Sequence, residues 1–172
     1  MSETAKRINE DAVIARGARI ESGAQIESGA QIERDARIES GAVIENGARI
    51  GSGARIESGA RIGNDAVIEN DAWIASGAVI GNDAQIGRGA WIESGAVVTS
   101  NAITFNYVGS KHGTLTAYVD SQHGLYFTRG CFAGNVASFL SEVQKTHGDN
   151  KYAQSYRLLV QAAEILLTNQ ED

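Results

Sequence analysis

Alanine recurs every six residues without a miss from Ala12 through Ala102, sixteen times in register, and no other feature restricts the chain so tightly. Two residues after each alanine stands an aliphatic one: Ile14, Ile20, Ile26 and onward to Ile92, then Val98, with Thr104 alone breaking the rule and Ile8 starting the series early. A helix needs apolar spacings of three and four. Two inward residues two apart, followed by a gap of four, predict instead a short strand and then a turn. Each unit reads Gly/Asp, Ala, x, Ile, x, Ser/Asn/Arg, as in Gly23-Ala24-Gln25-Ile26-Glu27-Ser28, and the Ser-Gly, Asn-Asp, Asn-Gly and Arg-Gly boundaries supply residues that tolerate positive φ. The chain is expected to turn a corner every six residues.

Composition agrees with a repeat. In 172 residues there are 20 glycines, no proline and 6% aromatic residues, yet 42% hydrophobic content is enough to fill a core. The length suits one elongated body with a small appendage. A net charge of −6 argues against a general grip on nucleic acid or an anionic membrane. The polar opening and the lack of any long apolar run predict a soluble, cytoplasmic protein. Cys131, without a partner in the chain, excludes an internal disulfide and a Cys-rich zinc cluster and reads as a buried structural thiol.

The hexad resembles the repeat of the left-handed parallel β-helix family, and nearly every unit from Asp11 to Ser100 meets that family's pattern. The resemblance implies three hexads per coil, a triangular prism and a homotrimer. The expected fold is therefore an all-β solenoid, a left-handed parallel β-helix of about five coils, followed by a small α+β tail. Its parts are an N-terminal segment (1–10), the β-helix (11–106) and a C-terminal hairpin with two helices (107–172).

With 18 residues per coil, the outward residues stack into three rows: Arg19, Arg37, Arg55, Trp73, Trp91; then Gln25, Val43, Arg61, Val79, Val97; then Val13, Gln31, Arg49, Val67, Gln85, Ile103. Glu21, Glu39 and Glu57 run beside the arginine row and are expected to neutralise it sideways. Towards the C-terminal coils the rows turn apolar, so Trp73, Trp91, Val79 and Val97 are assigned to the trimer interface.

In the tail, Leu115–Val119 and Leu125–Thr128 read as a hairpin around Asp120-Ser121-Gln122-His123-Gly124. Gly130-Cys131-Phe132-Ala133-Gly134 reads as a tight link into a helix with Val136, Phe139, Leu140 and Val143 on one face and Gly148 as its stop. A second helix, starting near Asp149 or Asn150, carries the stripe Tyr152, Tyr156, Leu159, Ala163 and Leu166. The tail is similar to an extension behind hexapeptide coils in bacterial and phage proteins.

Acyltransferases of the resembled family use a histidine as general base and hold acyl-CoA between subunits, whereas this coil contains no histidine. The same absence removes a three-histidine zinc site, and no metal is expected. All three histidines lie in the tail: His112 in a glycine-flanked loop, His123 at the hairpin tip exposed to solvent, and His147 beside a helix-ending glycine. Ser110, Lys111, His112, Thr114, Thr116 and Arg129 together could hold an anion through charge-assisted bonds. The main expectation is a non-catalytic homotrimer without cofactor that captures a small anionic, nucleotide-like ligand between subunits, a sponge of the phage type. The alternatives are a CoA-dependent acyltransferase with His112 as general base, taking acyl-CoA, and a structural or protein-interaction scaffold.

Overall fold

The computed structural model describes residues 5–168. Each hexad gives one two-residue strand, from β1 (Arg7–Ile8) and β2 (Val13–Ile14) at six-residue intervals to β15 (Trp91–Ile92). Strands three apart pair in parallel, so Arg19, Arg37, Arg55, Trp73 and Trp91 stack in order on one face. The result is a parallel β-solenoid of about five turns. Pairing already includes β1, whose Arg7 and Ile8 lie against Gln25 and Ile26, one hexad ahead of Asp11. Of segment 1–10, residues 1–4 lie outside the described residues, as do residues 169–172 of the tail.

From Ala24 to Ile92 the inward alanines and isoleucines are no more than 2% exposed. Each isoleucine so buried contributes roughly 1.5–3 kcal/mol, and the small alanine beside it lets the corner close. Gly17, Asp35, Gly53, Asp71 and Gly89 share one corner, all with φ between 56° and 90°. The Asp35 carboxylate occupies the space that a side chain on Gly17 would need. Glycine and aspartate alternate at this corner, whereas at the neighbouring corner Asp83 follows Asp65.

The expected sideways neutralisation of the arginine row does not occur. Glu21, Glu39 and Glu57 instead accept from the backbone N–H and hydroxyl of Ser40, Ser58 and Ser76, one coil further on, at 2.9–3.3 Å. Such bonds cap the corners, which an exposed arginine on its flexible stem cannot do. In the coil, the ion pairs among the described residues are Arg61–Glu45 at 2.9 Å and Arg88–Asp71 at 3.3 Å.

The 18-residue register fails at the last coil. Strand β16 (Val97–Val108) runs straight through what would be the next corner and places Ala102, not Thr104, opposite Ile86. Gln85 and Ile103 therefore do not stack. Thr104, the one break in the aliphatic series, marks the place where an inward side chain is no longer required. Strand β16 then pairs antiparallel with β17 (Gly113–Asp120), which pairs with β18 (Gly124–Arg129). Tyr118 of β17 is fully buried against the coil core and plugs its C-terminal end.

The glycine-bounded link is itself a strand, β19 (Phe132–Asn135), paired with β18. Cys131 sits at the turn before it and is exposed, so the buried-thiol reading is corrected: a two-residue turn between paired strands leaves its side chain outside. Helix α1 (Val136–His147) is capped by the Asn135 side chain, which accepts from Ser138 N–H, and ends at Gly148 as expected. Helix α2 (Lys151–Thr168) buries Ala153, Tyr156, Val160, Ala163 and Leu167. The expected stripe is rotated, for Leu166 is 56% exposed. Both stripes obey the 3–4 spacing, and packing on α1 and the sheet selects between them. No helix among the described residues is long and apolar enough to cross a membrane.

Candidate functional site

The site residues converge where the tail folds back on the last coil. Two side chains replace the strand partner that Trp91 lacks: Trp91 N–H donates to Thr116 Oγ1 at 3.1 Å, and Thr128 Oγ1 donates to Trp91 O at 2.8 Å. These threonines face each other across β17 and β18. Together with Trp91, Lys111, Thr114 and Arg129 they line a cleft of about 340 Å³. Four of the six residues expected to bind an anion thus lie on one cleft, and no carboxylate lines it. Ser110 is in the turn that leads to it but is not part of its wall.

Arg129 is the anchored cation. Its Nη2 donates to Val108 O at 2.9 Å, its guanidinium lies 5.5 Å from the centre of the Tyr156 ring, and its Nε is buried with no hydrogen-bond partner. The loop lies close against it where glycines stand: a Cβ on Gly109 or Gly113 would come within 3.2 Å of Nη2, and one on Gly109 would also clash with the Tyr156 hydroxyl. Among the described residues, neither Lys111 nor Arg129 takes part in a salt bridge. Two cations without ion pairs, in a cleft without carboxylates, favour an anionic or carbonyl oxygen.

His112 lies around the corner. Its backbone is held at φ 47°, and its side chain lines a second cleft of about 540 Å³ with Asp71, Arg88, Asn106 and Tyr107. The two clefts meet at Gly89 and Thr114, which line both. Thr114 Oγ1 donates to Asn106 Oδ1 at 2.8 Å and fixes that shared edge.

The other sequence candidates separate. Trp73 and Trp91 stack with ring centres 5.3 Å apart and planes 6° from parallel. Trp73 Nε1 donates to Glu57 Oε1 at 2.7 Å, and Arg55 lies over its ring. Val79 and Val97 stack on the next face, and all four of these residues are half-buried in the single chain. His147 stacks on Tyr156 at the end of α1, away from His112.

One arrangement was not read from the sequence. His123 is exposed, as expected at a hairpin tip, but its Nδ1 lies 2.6 Å from Oδ1 of Asp120, whose carboxylate is only 3% exposed. Burial alone would raise the Asp120 pKa. The N–H groups of Val97, Gln122 and His123 and the His123 ring outweigh it and hold the carboxyl below its ordinary value. The signal was present as Asp-x-x-His across a turn, a spacing too short and too common to stand out. Among the described residues, no group of three or more His, Cys, Asp or Glu side chains could hold a metal ion.

Solenoid, hexad and corner chemistry together define a left-handed parallel β-helix of the hexapeptide-repeat class. The profile of the GMPPB C-terminal domain matches residues 20–108, just over half of the chain, and the protein belongs to that family. No curated protein is significantly similar to the chain. Several solved structures are. A mutant of perosamine N-acetyltransferase from Caulobacter crescentus, in complex with CoA and GDP-perosamine, is 18% identical over 57% of this chain and 54% of its own, with a TM-score of 0.30. The acetyltransferase domain of PglB from Neisseria gonorrhoeae, in complex with acetyl coenzyme A, is 19% identical over 55% and 51%, with a TM-score of 0.33. A UDP-N-acetylglucosamine acyltransferase from Bacteroides fragilis is 17% identical over 69% and 58%, with a TM-score of 0.33. The chain spans about half the length of the solved structures it matches. The fold rests on the family match and the strand topology. The expectation of a non-catalytic ligand sponge is withdrawn: the similar solved structures named here are acyltransferases.

Proposed function

We propose that the protein is a CoA-dependent acyltransferase acting on an amine or hydroxyl acceptor, with His112 as general base. The observation that supports this reading is the pair of clefts meeting at Gly89 and Thr114, one cationic and free of carboxylates, the other holding an imidazole. Acyl-CoA supplies an activated thioester carbonyl. Lys111 and Arg129, neither in a salt bridge among the described residues, suit the charged and carbonyl oxygens of such a donor, and the Gly89 and Thr114 edge is shared with the cleft that His112 lines. His112 takes the proton from the acceptor as its nitrogen or oxygen attacks the carbonyl; the C–S bond breaks, and the proton passes to the departing thiolate. Asn106 and Arg88 line the same cleft as His112 and, on this reading, orient the acceptor.

The same reading includes a homotrimer whose half-buried Trp73, Trp91, Val79 and Val97 pack against neighbouring copies, so that a second copy adds a wall to each open cleft. Calorimetry with CoA and thiol-release assays with acetyl-CoA against amine and hydroxyl acceptors test the proposal. His112→Ala is expected to lower turnover by about 10²- to 10⁴-fold while CoA still binds, and Lys111→Ala to weaken CoA in a salt-dependent way. Absence of heat with CoA would overturn it.

A further inference from the structure

Flat side chains lie one above another along the face that begins at Arg19. The Arg55 guanidinium lies 5.4 Å from the centre of the Trp73 ring, and the Trp73 ring lies 5.3 Å from that of Trp91, with planes 6° apart. The stack stops at Trp91, because β16 leaves the coil and the tail strands take the next place above it. There Thr116 and Thr128 bond to the Trp91 main chain and put no flat group over its ring. Among the described residues, no aromatic ring besides Trp73 and no cation stacks on Trp91. The half-buried Trp91 instead lines the cationic cleft, where Gly89 and Gly130 present bare main chain: a Cβ on either would meet no atom within 4 Å.

Three features of this cleft narrow its ligand. An indole that has a stacking partner on one face only attracts flat rings and cations alike to the other. Lys111 and Arg129, with no carboxylate in the wall, repel a cation and favour an anionic or carbonyl oxygen. The hydroxyls of Thr114, Thr116 and Thr128 each already take part in a hydrogen bond within the protein, so a sugar ring would find few partners for its own hydroxyls. A flat aromatic ring carrying one acid group meets all three.

We propose that this cleft binds an aromatic carboxylic acid or its acyl group, with the ring on the Trp91 indole and the carboxyl oxygen towards Lys111. That the ring belongs to the transferred acyl group rests on the acyltransferase reading; the ring site does not. The chain's two tryptophans give two indole N–H signals, and that of Trp73, held by Glu57 at 2.7 Å, serves as the internal reference. NMR titration of the native protein with sodium benzoate, sodium acetate, benzoyl-CoA and acetyl-CoA reads both. A benzoyl ring over Trp91 is expected to shift its indole signals upfield and saturably, and benzoyl-CoA to bind about tenfold tighter than acetyl-CoA. Trp91→Leu is expected to bring the two thioesters to equal affinity. Shifts with sodium benzoate alone assign a free-acid site; shifts with benzoyl-CoA alone assign the acyl group. No Trp91 shift with either benzoyl probe, or a shift that acetate or acetyl-CoA reproduces in full, overturns the proposal. Thiol release from acetyl-CoA without the benzoyl shifts would leave the acyltransferase reading in place, whereas shifts with sodium benzoate in a protein that gives no heat with CoA would sink that reading and keep the ring site.

Discussion

Ile8 and Ile56 hold the same position in the hexad, yet Ile8 is 39% exposed at the open end of the coil and Ile56 is fully buried. A carboxylate at position 56 would lose its water and find only methyl groups. Ile56→Asp is therefore expected to cost on the order of 4 kcal/mol, whereas Ile8→Asp should stay within about 0.5 kcal/mol. Paired thermal melts check this, and equal midpoints for the two variants would refute the inward assignment. The corners follow the same residue-level logic. Positive φ admits glycine or aspartate, and the Asp71 carboxylate, on a residue at φ 61°, lies in the space beside Gly53 at φ 72°. The sequence showed which residue types can turn the corner. It could not show that an aspartate in one coil leans on the glycine of the coil before.

Among the elements, the β17–β18 turn decides how the tail is held. Val97 N–H donates to Asp120 Oδ2 at 2.8 Å, and Ser121 N–H donates back to Val97 O at 2.9 Å, so one carboxylate ties the hairpin to the coil. The Asp120 carboxyl is held below its ordinary value, and its contribution is therefore complete above the ordinary aspartate range and lost as the pH falls through the lowered one. Acid should release the tail before the coil core melts. Protection of the Val97 amide against exchange, relative to its intrinsic rate, is expected to fall as the pH drops below the aspartate range, and Asp120→Asn should abolish that pH dependence while costing about 1–3 kcal/mol. Protection at Val97 that falls no faster in the native protein than in Asp120→Asn would refute the tie. The hairpin and both helices were legible in the sequence, whereas β19 was not: Phe132–Asn135 is four residues long, and its strand character comes from pairing with β18. The face of α2 was misread for a related reason, since two stripes of equal periodicity exist and only contact with α1 and the sheet separates them.

For the whole molecule, the apolar rows on the C-terminal coils bear on assembly. A single chain leaves Trp73, Trp91, Val79 and Val97 half-covered on two faces, a surface that association would bury. Sedimentation equilibrium is expected to give three times the 18.2 kDa chain mass, and a mass of one chain would remove the homotrimer and the shared clefts with it.

The sequence alone determined the coil's strand length, its inward residues and its outward rows as far as Gln85, because a six-residue repeat has one way to bury two side chains per turn; the coil's end, expected at 106, was not among them, for the register is already lost within β16. Lys111, Thr114, Thr116 and Arg129 were also legible as a charged, hydroxylated group. Tertiary structure decided the rest. Arg129 lines one cleft with Lys111 because antiparallel pairing of β17 and β18 carries it back over the last coil, and Gly109 and Gly113 leave room for its guanidinium beside the loop. The stack of Trp73 and Trp91 ends in that cleft because β16 leaves the coil and the tail strands take the next place above it. Local periodicity encodes contacts between neighbouring units of the chain. Contacts between elements of different kinds carry no period, and only the folded packing fixes them.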